Sequence, residues 1–247
     1  MKKKSQFLNF IFFLLLFNSM ILTINALGYG VGIYENQEII WKCNVCNKPE
    51  MEIIFGNNWD DSGIFKNLSA GKRMKWIIND IELNETIIKV NVSTWLWTYK
   101  SMWGIKDKDS LVIYYSNPND YSPNLNFSIY TSMVPFWFPV PVGEYLGGLS
   151  LNEWYDVDNR VLPTLNVEIG GNETGYPSKN IKIIAIYNDQ GILNSYKLYI
   201  EGNVVIIDIS LDFLPFYVIP ILIGLALAFS LGLILYIIKK NKSRINS

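Results

Sequence analysis

The sequence predicts a mainly β fold, an antiparallel β-sandwich or a curved half-barrel, held outside a membrane by one C-terminal transmembrane helix. Three observations predict it. Short runs rich in isoleucine and valine, bounded by turn residues, recur along the middle of the chain. One uncharged stretch, Phe216 to Ile238, is long enough to cross a hydrocarbon core of about 30 Å at about 1.5 Å per residue. The charge is partitioned: Lys2, Lys3 and Lys4 open the chain, and Lys239, Lys240, Lys242 and Arg244 close it. The net charge of −1 therefore hides a strongly acidic middle, where all 22 acidic residues face the remaining 14 of the 21 basic ones.

The N-terminal lysines precede an apolar run, Phe7 to Phe17, broken only by Asn9, and a softer stretch reaching Ala26. Residues 1–26 read as a secretory signal peptide or as an uncleaved signal anchor, and both export the chain beyond Ala26. Residues 27–214 form one extracytoplasmic β-rich domain, residues 215–238 the transmembrane helix and residues 239–247 a short basic cytoplasmic tail. Cationic flanks stay on the cytoplasmic side, so the two ends independently assign the same orientation at the plasma membrane. The bilayer is the first expected partner. Gly224, Ala228 and Gly232 share one face of the span, which is either a homodimer seam or ordinary small-residue usage in a membrane helix.

Within the domain, Ile181 to Ile209 predicts a three-stranded antiparallel meander with turns at Asn188-Asp189-Gln190-Gly191 and Glu201-Gly202-Asn203. Gln37 to Val45, Met51 to Phe55, Lys72 to Leu83, Thr86 to Thr98 and Leu111 to Tyr115 predict further strands. Only Gly143 to Trp154 reads as helix, weakened by Gly147-Gly148. Met133 to Val142 is apolar but carries three prolines, so it is an edge strand or a polyproline-like segment. It either closes the core or presents a sticky patch.

Five motifs stand out: Gly71-Lys-Arg-Met-Lys-Trp76, Val92-Ser-Thr-Trp-Leu-Trp-Thr98, Asn117-Pro-Asn-Asp-Tyr121, Pro139-Val-Pro-Val-Gly-Glu-Tyr-Leu146 and Tyr187-Asn-Asp-Gln-Gly-Ile-Leu193. Together they resemble those of uncharacterised secreted single-pass membrane proteins of Asgard-type archaea. The resemblance implies a surface protein with a single span and carries no activity to any residue.

The chain has no histidine, which excludes Ser-His-Asp triads, Cys-His nucleophile pairs and imidazole metal ligands. Cys43 and Cys46 form the one C-x-x-C, for which a local disulfide is the expected state outside a cell. Thiol exchange is the alternative, set back by the extended reading of Met51 to Phe55 where a helix would be wanted; an intermolecular link is a third. Asn67, Asn84, Asn91, Asn126 and Asn172 head exported glycosylation sequons.

Along Thr86 to Tyr99, Ile88, Val90, Val92, Thr94 and Leu96 share one face, and Lys89, Asn91, Ser93, Trp95, Trp97 and Tyr99 share the other. Trp95, Trp97, Tyr99 and Trp103, with Phe136, Trp137 and Phe138, are candidate ligand-contact aromatics, or a second core layer. Asp60-Asp61 and Asp156-x-Asp158 are read as turn chemistry rather than calcium ligands. No cofactor is expected, and the acidic middle argues against nucleic acid.

The expected function is a non-catalytic surface protein whose ectodomain binds a protein, glycan or envelope partner. The alternatives are a half-barrel that binds an apolar ligand or lipid, and a thiol–disulfide protein acting through Cys43 and Cys46.

Overall fold

The computed structural model describes residues 28–99, 103–127, 132–171, 177–212 and Phe229. The described strands are β1 (Glu38–Cys46), β2 (Arg73–Leu83), β3 (Ile87–Thr98), β4 (Lys108–Tyr115), β5 (Tyr155–Asp158), β6 (Thr164–Ile169), β7 (Ile181–Tyr187), β8 (Leu193–Ile200) and β9 (Val204–Leu211). Two α-helices join them, α1 (Lys48–Phe55) and α2 (Val142–Gly147). Among the described residues no helix is long and apolar enough to cross a membrane. The predicted signal (1–26) and, apart from Phe229, the membrane segment (215–238), with Gly224, Ala228 and Gly232, lie outside the described residues.

All nine strands hydrogen-bond into one antiparallel sheet in the order β4-β3-β2-β1-β9-β8-β7-β6-β5. The chain enters at the centre with β1 and steps outward to the edge strand β4. Residues 116–154 then carry it to the opposite edge, and β5 to β9 step back until β9 pairs with β1. The predicted meander is present as β7, β8 and β9. Its first turn is set by Asn188, whose side-chain oxygen accepts from the Gln190 and Ile192 amides.

Two expected elements differ. Met51 to Phe55 is not a strand but the body of α1. Asn47 caps that helix by accepting from the Glu50 amide, Pro49 and Glu50 suit its first turn, and Met51 and Ile54 bury three residues apart. The cap overrides the β preference of Ile53 and Ile54. The helix expected over Gly143 to Trp154 ends at Gly147, where Gly147-Gly148 removes its support, and the chain goes on into β5. The alternation of Leu165, Val167 and Ile169, buried against Asn166 and Glu168, makes β6 a strand that the sequence reading passed over.

The proline-rich segment closes the core. Val134 to Pro139 are buried against one face of the sheet, as a strap held from both sides. The Leu193 amide donates to the Phe136 carbonyl, and the Phe138 amide donates to the Gly191 carbonyl, both at 2.9 Å. Tyr187 of β7 donates its hydroxyl to the Pro135 carbonyl at 2.8 Å, and Tyr114 of β4 donates to the Trp137 carbonyl at 2.6 Å. In a flat sheet β4 and β7, six strands apart, would be separated by about 29 Å. Carbonyls two residues apart on the strap span only about 7 Å, so the sheet curls around it.

Trp41 lies at the centre of this packing. It is fully buried, its Nε1–H donates to the Leu193 carbonyl at 2.8 Å, and its ring meets Trp76 and Phe136 edge-on. Trp41→Ala is expected to cost about 3–5 kcal/mol, and Trp41→Phe, which orphans the carbonyl but keeps a ring, about 1–2 kcal/mol. Urea unfolding of the two variants checks both the size and the order.

Candidate functional site

A cavity of about 240 Å³ opens between the strap and the inner face of β2, β3 and β4. Trp76 of β2, Thr94 of β3, and Val112 and Tyr114 of β4 form one wall; Val134, Phe136 and Trp137 of the strap form the other. Strand alternation puts them there: Met74, Trp76 and Ile78 all point inward from β2, and Trp76 pairs directly with Thr94. Lys108 and Ser110, at the start of β4, supply the polar part of the lining together with Thr94 and Ser132, and Lys108 is exposed.

One donor in this wall is unpaired. Trp76 is 8% exposed, and its Nε1–H has no hydrogen-bond acceptor among the described residues. The neighbouring tryptophans differ. Trp137 Nε1 donates to the Gln190 carbonyl at 3.0 Å, and Trp97 Nε1 donates to the Ile64 carbonyl at 2.7 Å. The Tyr114 hydroxyl is committed to the strap.

The aromatic ladder expected along β3 divides. A bulge sets both Leu96 and Trp97 opposite Met74, between the pairs Arg73–Thr98 and Lys75–Trp95. Trp97 therefore turns into the core instead of continuing the outer face, which corrects its assignment beside Trp95. Trp95 stays outside, where the buried ammonium of Lys75 sits 4.3 Å from its ring and 5.0 Å from that of Trp103. Tyr99 is 67% exposed with Lys72 5.5 Å over its ring. Of the candidate aromatics, Phe136 and Trp137 line the cavity, while Phe138 packs on Tyr187 at 5.0 Å in the core. Trp76 and Thr94 were not singled out from the sequence. The alternating apolar positions Met74, Trp76 and Ile78 of β2 are the signal that could have found Trp76.

Cys43 and Cys46 form no disulfide, contrary to expectation; both are thiols. The Cys43 Sγ lies 3.2 Å from the Val45 carbonyl and the Cys46 Sγ 3.9 Å from the Leu68 carbonyl, so each has a backbone acceptor. Among the carboxylates, Asp60 pairs with Lys48 and Asp158 with Arg160, each at 2.7 Å. Asn67 and Asn84 are exposed in turns, and Asn91 is partly exposed in mid-β3. The Asn126 side-chain oxygen lies 3.2 Å from the Tyr155 hydroxyl, whose proton goes to the nearer Met133 carbonyl, and Asn172 lies outside the described residues. No protein-family model, curated protein or solved structure matches the chain.

Proposed function

We propose that this is a membrane-anchored, extracytoplasmic binding protein whose sheet acts as a half-barrel, holding a small apolar ligand that bears one hydrogen-bond acceptor. The observation that carries this reading is the Trp76 Nε1–H, buried beside the cavity with no acceptor among the described residues. A buried donor left unpaired costs about 1–3 kcal/mol, which a ligand carbonyl placed against it recovers. The cavity's 240 Å³ exceeds the roughly 150 Å³ of an engineered apolar cavity that takes benzene. Its walls are aromatic and aliphatic, and Lys108 and Ser110 offer polar contacts to a ligand's polar end. A single continuous sheet curled around the strap favours a half-barrel over two packed sheets. A glycan platform along β3 is disfavoured because cations already cover the rings of Trp95 and Tyr99.

The test uses the full chain in nanodiscs and fluorine NMR, with para-fluoroacetophenone as the ketone probe and para-fluoroethylbenzene as its counterpart without an acceptor. The ketone is expected to bind saturably, and about fivefold more tightly than the hydrocarbon, the worth of about 1 kcal/mol of hydrogen bonding. Trp76→Phe should erase the difference, and Val112→Trp should fill the cavity and abolish both. Identical spectra with loaded and empty nanodiscs, or a ketone preference that survives Trp76→Phe, would sink the reading.

A further inference from the structure

In a regular strand, residues three apart face opposite sides of the sheet, so a C-x-x-C there holds its sulfurs apart. β1 breaks that rule. Cys43 pairs with Ile209 and Val45 with Asp208, leaving Asn44 as an extra residue in a bulge. The bulge is pinned from outside, since Asn44 Nδ2 donates to the Ser210 hydroxyl at 2.9 Å and lies 3.4 Å from an Asp208 carboxylate oxygen. Asn44 and Val45 both face outward, and Cys43 and Cys46 both face inward, near enough that the Cys43 thiol can turn from the Val45 carbonyl to an ionised Cys46. Burial ranks the two: Cys43 is fully buried and Cys46 partly exposed.

The surroundings of Cys46 suit a thiolate. It immediately precedes Asn47, the cap of α1, and so lies at the positive end of that eight-residue helix. Donation from the Cys43 thiol, then the charges of Lys48 and Lys72, pull the Cys46 pKa below its ordinary value, against burial and the Asp60 carboxylate. The same hydrogen bond, reinforced by burial and by the negative charges of Cys46 and Asp208, pushes Cys43 far up. One thiol is thus prepared as a nucleophile and its neighbour is kept protonated.

We propose that Cys43 and Cys46 form a thiol–disulfide exchange centre whose substrate is an exposed disulfide of a neighbouring protein. The Cys46 thiolate attacks one sulfur of that disulfide; a mixed disulfide forms and the other substrate sulfur leaves as a thiolate, which takes up a proton. Cys43 then gives up its proton and attacks the Cys46 sulfur. The Cys43–Cys46 disulfide forms, and the second substrate sulfur departs. The substrate gains two electrons and becomes a dithiol, and the dithiol of β1 is oxidised by the same two electrons. No residue of the apolar cavity takes part, so this inference stands apart from the ligand reading.

The test treats the full, pre-reduced chain with the aromatic disulfide 5,5′-dithiobis(2-nitrobenzoate) at slightly acid pH, following thiolate release and intact mass. The native chain is expected to release two aryl thiolates and to end two hydrogens lighter, with no aryl group attached. Cys43→Ala should release one, and keep an aryl adduct on Cys46, faster than the same variant unfolded in urea. Cys46→Ala should react slowly through the buried Cys43. A native chain that ends with aryl adducts instead of an internal disulfide would overturn the proposal, whatever the folding of the variants. So would a Cys43→Ala chain, shown folded by circular dichroism, that reacts no faster than in urea.

Discussion

Gly191→Ala is expected to destabilise the protein by about 3 kcal/mol or more, enough at a urea slope of about 2 kcal/mol/M to lower the midpoint by about 1.5 M. Gly191 has φ +81°, where a Cβ is strained, and that Cβ would lie 2.0 Å from the Phe138 carbonyl oxygen and 2.9 Å from Trp137 Nε1. The first obstacle is backbone, and it is the backbone of the strap. The Gly191 carbonyl accepts from the Phe138 amide, so relieving the clash also pulls the strap away from β8. Gly202 supplies the control. It has φ +75° in the β8–β9 turn, but an added Cβ meets nothing within 4 Å. Gly202→Ala should therefore cost only the conformational penalty, about 1 kcal/mol. Equal losses at the two sites would show that strap contact at Gly191 contributes nothing.

That asymmetry between two glycines also marks how far the sequence could be read. The β7–β9 meander is written locally: Ile181, Ile183 and Ala185 alternate inward, and Asn188 and Gly202 announce the turns. The burial of Val134 to Pro139 is one of the two outcomes that the apolar density of Met133 to Val142 allowed, with prolines keeping the segment out of the ladder. The joining of both halves into one sheet was not legible, because β1 meets β9 across more than half the chain and no local pattern records the partner. Bulges hid the sites. One residue of slippage opposite Met74 sends Trp97 inward, and one extra residue at Asn44 brings Cys43 and Cys46 to the same side. Both reverse a face assignment made by strict alternation. α1 went unread because Ile53-Ile54-Phe55 favours a strand, while the decisive group, the Asn47 side chain, lies outside the apolar run.

Raising the pH is expected to unfold the protein cooperatively from about pH 10 upward. The strap and its surroundings are fastened by neutral phenols that donate to carbonyls: Tyr187 to Pro135, Tyr145 to Tyr115 and Tyr155 to Met133. A phenolate in those places would be an acceptor facing an acceptor. Burial pushes Tyr187, Tyr145 and Tyr196 well above the ordinary value, and pushes Tyr155 up from 10 to about 12. Unfolded tyrosines ionise near pH 10, so above that point the unfolded chain binds fewer protons and stability falls with pH. The contribution of Tyr155 is complete below about pH 10 and is lost as the pH passes through about 12. The phenolate absorbance of the buried tyrosines should rise together with loss of the circular dichroism signal; ionisation of those tyrosines in a chain that stays folded would contradict this. Tyr196 sharpens the test, because its hydroxyl is fully buried with no partner among the described residues. Tyr196→Phe removes both an uncompensated desolvation and an ionisable group. It should raise stability by about 1 kcal/mol at neutral pH and move the alkaline midpoint upward. A variant less stable than the parent at neutral pH would mean that the Tyr196 hydroxyl has an acceptor after all, and that burial alone does not set its pKa.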